Sequence, residues 1–249
     1  MDEFDRRKRR SLWIRARAAE AQYSLRLKGI AGAINAIVRG FAPDGTPEAI
    51  APLLRALHGY SELIGPWAES VAGYMLADVN RRNERAWAEH GDAMGRSLRQ
   101  MIRTTPVGAE YRSLLRAQVG LIKSLPTRAA ERVHSQVQEG MLRGTRSTDI
   151  AKSILTAGRV TEARAKLIAR TEVSRAAVTL TQARAQALGS EGYIWRTVGD
   201  PDVRPSHQKV AGKYVRWDSP PKTDASLDPY HAGCGPNCRC YPDPVLPEY

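Results

Sequence analysis

A chain of 249 residues with only two Phe must build its core from Leu, Ile, Val and Ala, and it is long enough for one large domain or two modest ones. Its 38 Lys and Arg against 26 Asp and Glu leave a net charge of +12, which points to an anionic partner, nucleic acid first and an acidic protein surface second, against the plain alternative of solvated basic helix faces. No membrane span and no secretory signal are expected: uncharged stretches such as GIAGAINAIV fall far short of the roughly 18 residues a span needs, and the basic start DEFDRRKRR runs on into further charges.

The spacing of Leu12, Trp13, Ala16, Ala19, Tyr23, Leu27 and Ile30 predicts one basic helix over residues 4–39. Residues 1–28 hold nine Lys or Arg against four acidic residues. Arg6, Arg7, Lys8, Arg9 and Arg10, extended by Arg15 and Arg17, suit phosphates, an acidic belt on a partner protein, or water alone. No motif for reading base sequence is visible. The segment FAPDGTPE is punctuation and reads as a linker. Helical patterns resume over 49–60 and 67–102, then over 108–124 and 127–142, with breaks expected near Thr104–Pro106 and at Pro126.

Ser147 is the expected N-cap of a short helix closed by Gly158. A long periodic run from Glu162 to Leu188 follows, ended by Gly189 and Gly192. Then YIWRTV and KYVRW read as strands around the loop GDPDVRPSHQKVAG, and the Pro-, Gly- and Cys-rich tail from Asp218 is expected to be irregular. The fold class is therefore α+β and mainly α-helical. A basic helical region spans 1–125, and a compact domain with a small sheet and a Cys-containing tail spans 126–249.

The segments IARTEVSRA, YIWRTVGDPDVRPSHQKVAG and NCRC follow one another in that order. Their key residues are Arg170, Thr171 and Glu172, then Trp195, Asp200, Arg204, His207 and Gly212, and lastly Cys238, Arg239 and Cys240. Each piece alone is common, but the ordered set resembles the phage head-morphogenesis family that includes the Mu F-like minor head proteins. The resemblance runs from about Pro126 to Pro244. It implies a minor, non-enzymatic component of a tailed-phage head, made in the bacterial cytoplasm and placed inside the capsid. Its implied partners are the portal protein and packaged DNA, the latter bound without sequence preference.

Two readings of the motif residues stay open on chemistry alone. In one, Glu172 shares a helix face with Arg175 or Lys166 and reaches Arg204 or His207 as an internal polar clamp. In the other, His207 is a general base, Glu172 its acid partner and Arg170 or Arg204 an anion clamp, as in a nuclease or ADP-ribosyl-type transferase. The chain has three cysteines, all within its last 16 residues, and they do not make a disulfide framework. The tail instead places His231, Cys234, Cys238 and Cys240 at H-x2-C-x3-C-x-C, a ligand set for one structural Zn2+. His207 can replace His231 in that set, and buried thiols or an oxidised pair are the alternatives. Cys234 is an addition to the family pattern.

Overall fold

The computed structural model describes residues 3–41, 46–91 and 107–247. In chain order the described elements are α1 (Glu3–Gly40), α2 (Pro47–Leu63), α3 (Gly65–Gly91), α4 (Gly108–Leu142), α5 (Ser147–Leu155), α6 (Ala157–Ala187), β1 (Gly192–Arg196), α7 (Pro205–Val210), β2 (Tyr214–Arg216) and β3 (Tyr241–Val245). The fold is mainly helical α+β with one small antiparallel sheet, as its sequence pattern predicts. The expected break at Thr104–Pro106 and the end of the 67–102 pattern lie outside the described residues. Among the described residues, no helix is long and apolar enough to cross a membrane.

The chain divides into two compact units, one of Met1–Ala21, Tyr74–Leu114 and Arg170–Tyr249, the other of Gln22–Gly73 and Leu115–Ala169. The second unit is all-helical, with Leu27, Ile34, Leu53, Leu57, Ile122 and Ile154 fully buried. Its α2 starts where the Thr46 hydroxyl accepts a bond from the Ala49 N–H at 3.4 Å, with Pro47 in the first turn. A buried bond from the Tyr23 hydroxyl to Gln118 Oε1, 3.0 Å, ties α1 to α4.

Three expectations fail in this unit and at its edge. Pro126 does not interrupt α4, which runs through it. Ile122, Leu125, Ala129 and Ala130 are buried on both sides of the proline, and that packing outweighs the lost helical hydrogen bond. Ser147 is not the N-cap: the Ile150 N–H bonds the Arg146 carbonyl at 3.1 Å, so the helix starts one residue earlier than expected. Gly158 does not close α5, because that helix ends at Leu155 and α6 begins at Ala157.

In the other unit, α6 ends in a Schellman arrangement. Gly189 takes a positive φ of 79°, with Ser190 N–H bonded to the Ala185 carbonyl and Gly189 N–H to the Gln186 carbonyl. The chain then enters β1, the central strand of a sheet ordered β2-β1-β3. The register pairs Tyr193 with Val215 on one side and with Pro244 on the other. The tail is irregular up to Cys240, as its composition suggests, but Tyr241–Val245 forms β3, which that composition conceals. Pro242 and Pro244 are tolerated because β3 is an edge strand and the opposing Trp195 donates its N–H the other way, to the Lys213 carbonyl at 2.9 Å. Trp87, Leu188, Tyr193, Trp195, Trp217 and the tail residues Ala232, Cys238 and Cys240 form the core beside the sheet.

Arg184, 3% exposed, links α6 to α3 in this unit by donating to the Asn80 and Asn83 side-chain oxygens, while Asn83 donates to the Thr181 hydroxyl at 2.7 Å. Gly192 is required by close approach: a Cβ there would overlap the Val215 carbonyl oxygen and the Tyr214 ring. Gly192→Ala is expected to destabilise the sheet-bearing unit by about 1–3 kcal/mol. A urea melt with an unchanged midpoint would show that β1 and β2 can part without loss.

Candidate functional site

The chemistry-bearing residues of the C-terminal part meet where the irregular tail lies against α6, α7 and β1. Residues 231–240 have little regular backbone bonding of their own beyond turns closed by Cys234 N–H to the His231 carbonyl and Cys238 N–H to the Gly235 carbonyl, both 3.0 Å. Side chains from distant elements take up several further backbone groups. The Thr171 hydroxyl accepts from the Asn237 N–H at 3.2 Å, with Asn237 at a left-handed φ of 54°. Arg175 donates to the Cys234 carbonyl at 3.4 Å, and Arg204 to the Pro236 carbonyl at 2.7 Å. Arg239 bridges back to Asp200 at 2.6 Å and Asp202 at 3.0 Å.

At the centre lies His207, 2% exposed, carried by α7. Its Nδ1 faces the sulfurs of Cys240 at 3.4 Å and Cys238 at 3.6 Å, and its Nε2 lies 2.9 Å from the Tyr230 hydroxyl. Tyr230 donates in turn to Asp224. The Trp195 ring stands edge-on to the imidazole, with centroids 5.5 Å apart. Gly212, at a φ of 79°, turns the chain after α7 and donates its N–H to the Trp195 carbonyl at 2.8 Å, so the ring and its cover share one corner.

Electrostatics separate the three thiols. Burial pushes the Cys234 thiol up to about 12. Cys238 is pulled down, chiefly by a hydrogen bond from Cys240 and further by His207, while Cys240 is pushed up as the donor of that pair. Burial, helped by the neighbouring Asp224, raises the Tyr230 phenol to about 12, so it remains a hydroxyl at neutral pH.

The structure brings together His207, Cys238 and Cys240, all buried, with ligand atoms within 4.8 Å of one another. Cys234 and His231 stand outside that group. His231 packs on Tyr193 and Trp217 and meets the Tyr193 hydroxyl at 3.3 Å through Nδ1. Glu172 pairs with Arg175 at 3.3 Å and Arg170 with Glu20 at 3.2 Å, whereas Lys166 pairs with Glu162. A clamp between α6 and the tail exists, but its bonds run from Thr171 and Arg175 to tail backbone. Of the basic arm, Arg17 is exposed, while the side chains of Arg6, Arg7, Lys8, Arg9, Arg10 and Arg15 lie outside the described ones. Sequence reasoning missed Tyr230, Asp224 and Asn237. Nothing in local pattern marks residues that act only once the tail has folded back.

With the geometry in view, comparison with known proteins gives a consistent answer. Residues 131–242 match the family described as Phage Mu protein F like protein. The chain is also similar to an uncharacterized protein of Haemophilus influenzae, 34% identical over 153 residues, which cover 61% of this chain and 33% of that protein. The chain thus spans about a third of the length of the curated relative it matches. No solved structure matches. Residues 131–242 are thus similar to the Mu F-like family over the stretch that carries the motif residues.

A pH test follows from His231. Burial lowers its pKa below the ordinary 6.5, so the unfolded chain takes up this proton before the folded one does. The stability gained by keeping the ring neutral is full above that value and is lost as pH falls from 6.5 toward the lower folded-state value. Between roughly pH 7 and 5 the melting temperature of the wild type is expected to fall more steeply than that of His231→Gln. Equal slopes would remove His231 from the account.

Proposed function

We propose that the protein is a minor structural component of a tailed-phage head, acting by binding rather than by turnover, inside the capsid near the portal and the packaged DNA. The observation that carries this reading is the match of residues 131–242 to the Mu F-like family. The geometry supports it from a second side. The residues that define the motif are spent on holding the chain's own tail, through Thr171, Arg204, His207, Asp200 and Arg239. An enzyme using His207 as general base needs that ring open to substrate. Here it is buried, with one nitrogen on two sulfurs and the other on Tyr230. In this reading residues 126–249 are the head-morphogenesis domain and the basic region before them engages the anionic partner.

Quantitative proteomics of full heads and of procapsids tests the placement. The chain is expected in both at far below the abundance of the major capsid protein, reproducibly and cross-linked to portal subunits. Absence from both particles would end the structural reading.

The DNA contact has its own measurement. If about five of the Lys and Arg residues before residue 18 neutralise phosphates, log K for duplex DNA falls with log salt at a slope near about −4.5. Deleting residues 1–18 is expected to flatten that slope and leave sequence preference unchanged. A truncated chain that binds DNA as tightly as the full one would assign the charge to a protein partner.

A further inference from the structure

We propose that His207 Nδ1, Cys238 Sγ and Cys240 Sγ bind a single zinc ion that locks the irregular tail onto α7 and β1. This goes beyond the head-component reading and does not rest on it. The donor set comes from two places far apart in sequence, α7 and the tail, so the ion would close a long loop.

Distances fit first. A tetrahedral ion about 2.3 Å from sulfur and about 2.05 Å from nitrogen holds the two about 3.5 Å apart. Nδ1 lies 3.4 Å from Cys240 Sγ and 3.6 Å from Cys238 Sγ. Thiol–imidazole hydrogen bonds span similar lengths, so the surrounding groups decide between the two.

Tautomer comes next. The Tyr230 hydroxyl gives its proton to Asp224, so its oxygen accepts from His207 Nε2–H. A neutral ring then keeps its lone pair on Nδ1, aimed at the two sulfurs. This Asp–Tyr–His chain is the outer support that metal-ligating histidines ordinarily have.

One of the sulfurs, moreover, faces a backbone donor. Cys240 N–H points to Cys238 Sγ at 3.4 Å. N–H groups directed at sulfur suit thiolates. Two thiolates, a neutral imidazole and one divalent zinc sum to zero charge, which a buried site favours. Binding releases the two thiol protons to solvent. Cys234 lies outside the group of three ligand atoms, which leaves the fourth position of a tetrahedral ion to a small non-protein ligand such as water.

The test uses the full chain, purified under reducing conditions. Elemental analysis is expected to find about one zinc per chain. Cys238→Ser, Cys240→Ser and His207→Ala should each lose it, while Cys234→Ser and His231→Gln keep it. Because a cluster variant can fail to fold, the wild-type chain is also stripped with chelator and reloaded with cobalt(II). A tetrahedral visible spectrum with a near-ultraviolet thiolate band is expected. A folded chain that takes up neither zinc nor cobalt overturns the proposal. So does a Cys238–Cys240 disulfide in freshly reduced protein, and metal loss in Cys234→Ser overturns the three-ligand assignment.

Discussion

Between Asp218 and Cys240 the chain has no helix or strand, yet Ala232, Cys238 and Cys240 lie in the core. Polar backbone carried into a core must find partners, and a segment without secondary structure supplies few of its own. Side chains anchored on rigid elements meet that need. Thr171 and Arg175 reach from α6, Arg204 from the start of α7, and Asp200 from the loop before it, while His207 fills the space between the two inward cysteines. This set of bonds and the β1–β3 pairing together hold the chain after Trp217 in place.

The same constraint explains why aromatic residues, scarce in the chain as a whole, gather here. Tyr193 and Trp217 pack with tilted rings, centroids 4.5 Å apart, and Trp195 meets His207 edge-on. A three-stranded sheet of five, three and five residues has too little area to hold a core by itself. Large flat side chains and a polar clasp replace the missing strands. Arg184 plays the matching part on the helical side, where a buried guanidinium between two asparagines fixes α3 against α6.

The long helices were legible because apolar spacing persists over many turns, and β1 and β2 because their β-formers stand between clear turn signals. Pro126 misled because propensity is local, whereas the burial of Ile122 and Leu125 that overrides it is not. β3 was hidden for a related reason. Two prolines in five residues argue against a strand until it is known to lie at an edge. Of the site, the identity of the motif residues could be read, and their destinations could not. His231 and Cys234 are closer in sequence to Cys238 than His207 is, yet only a folded tail shows that His207 is the ring that meets the cysteines.

A motif that serves as an internal clasp carries a consequence for how partners are chosen. Residues buried in holding the tail cannot also read a portal surface or a phosphate backbone, since a ligand would have to displace bonds the fold requires. Under the proposed function, the motif therefore marks the scaffold, and recognition falls to groups that stay exposed, such as Arg17. Such contacts are electrostatic and tolerant of exact position, so their sequence is free to change as long as the charge is kept. The clasp has no such freedom, because each of its bonds joins one particular side chain to one particular backbone group or side chain of the tail.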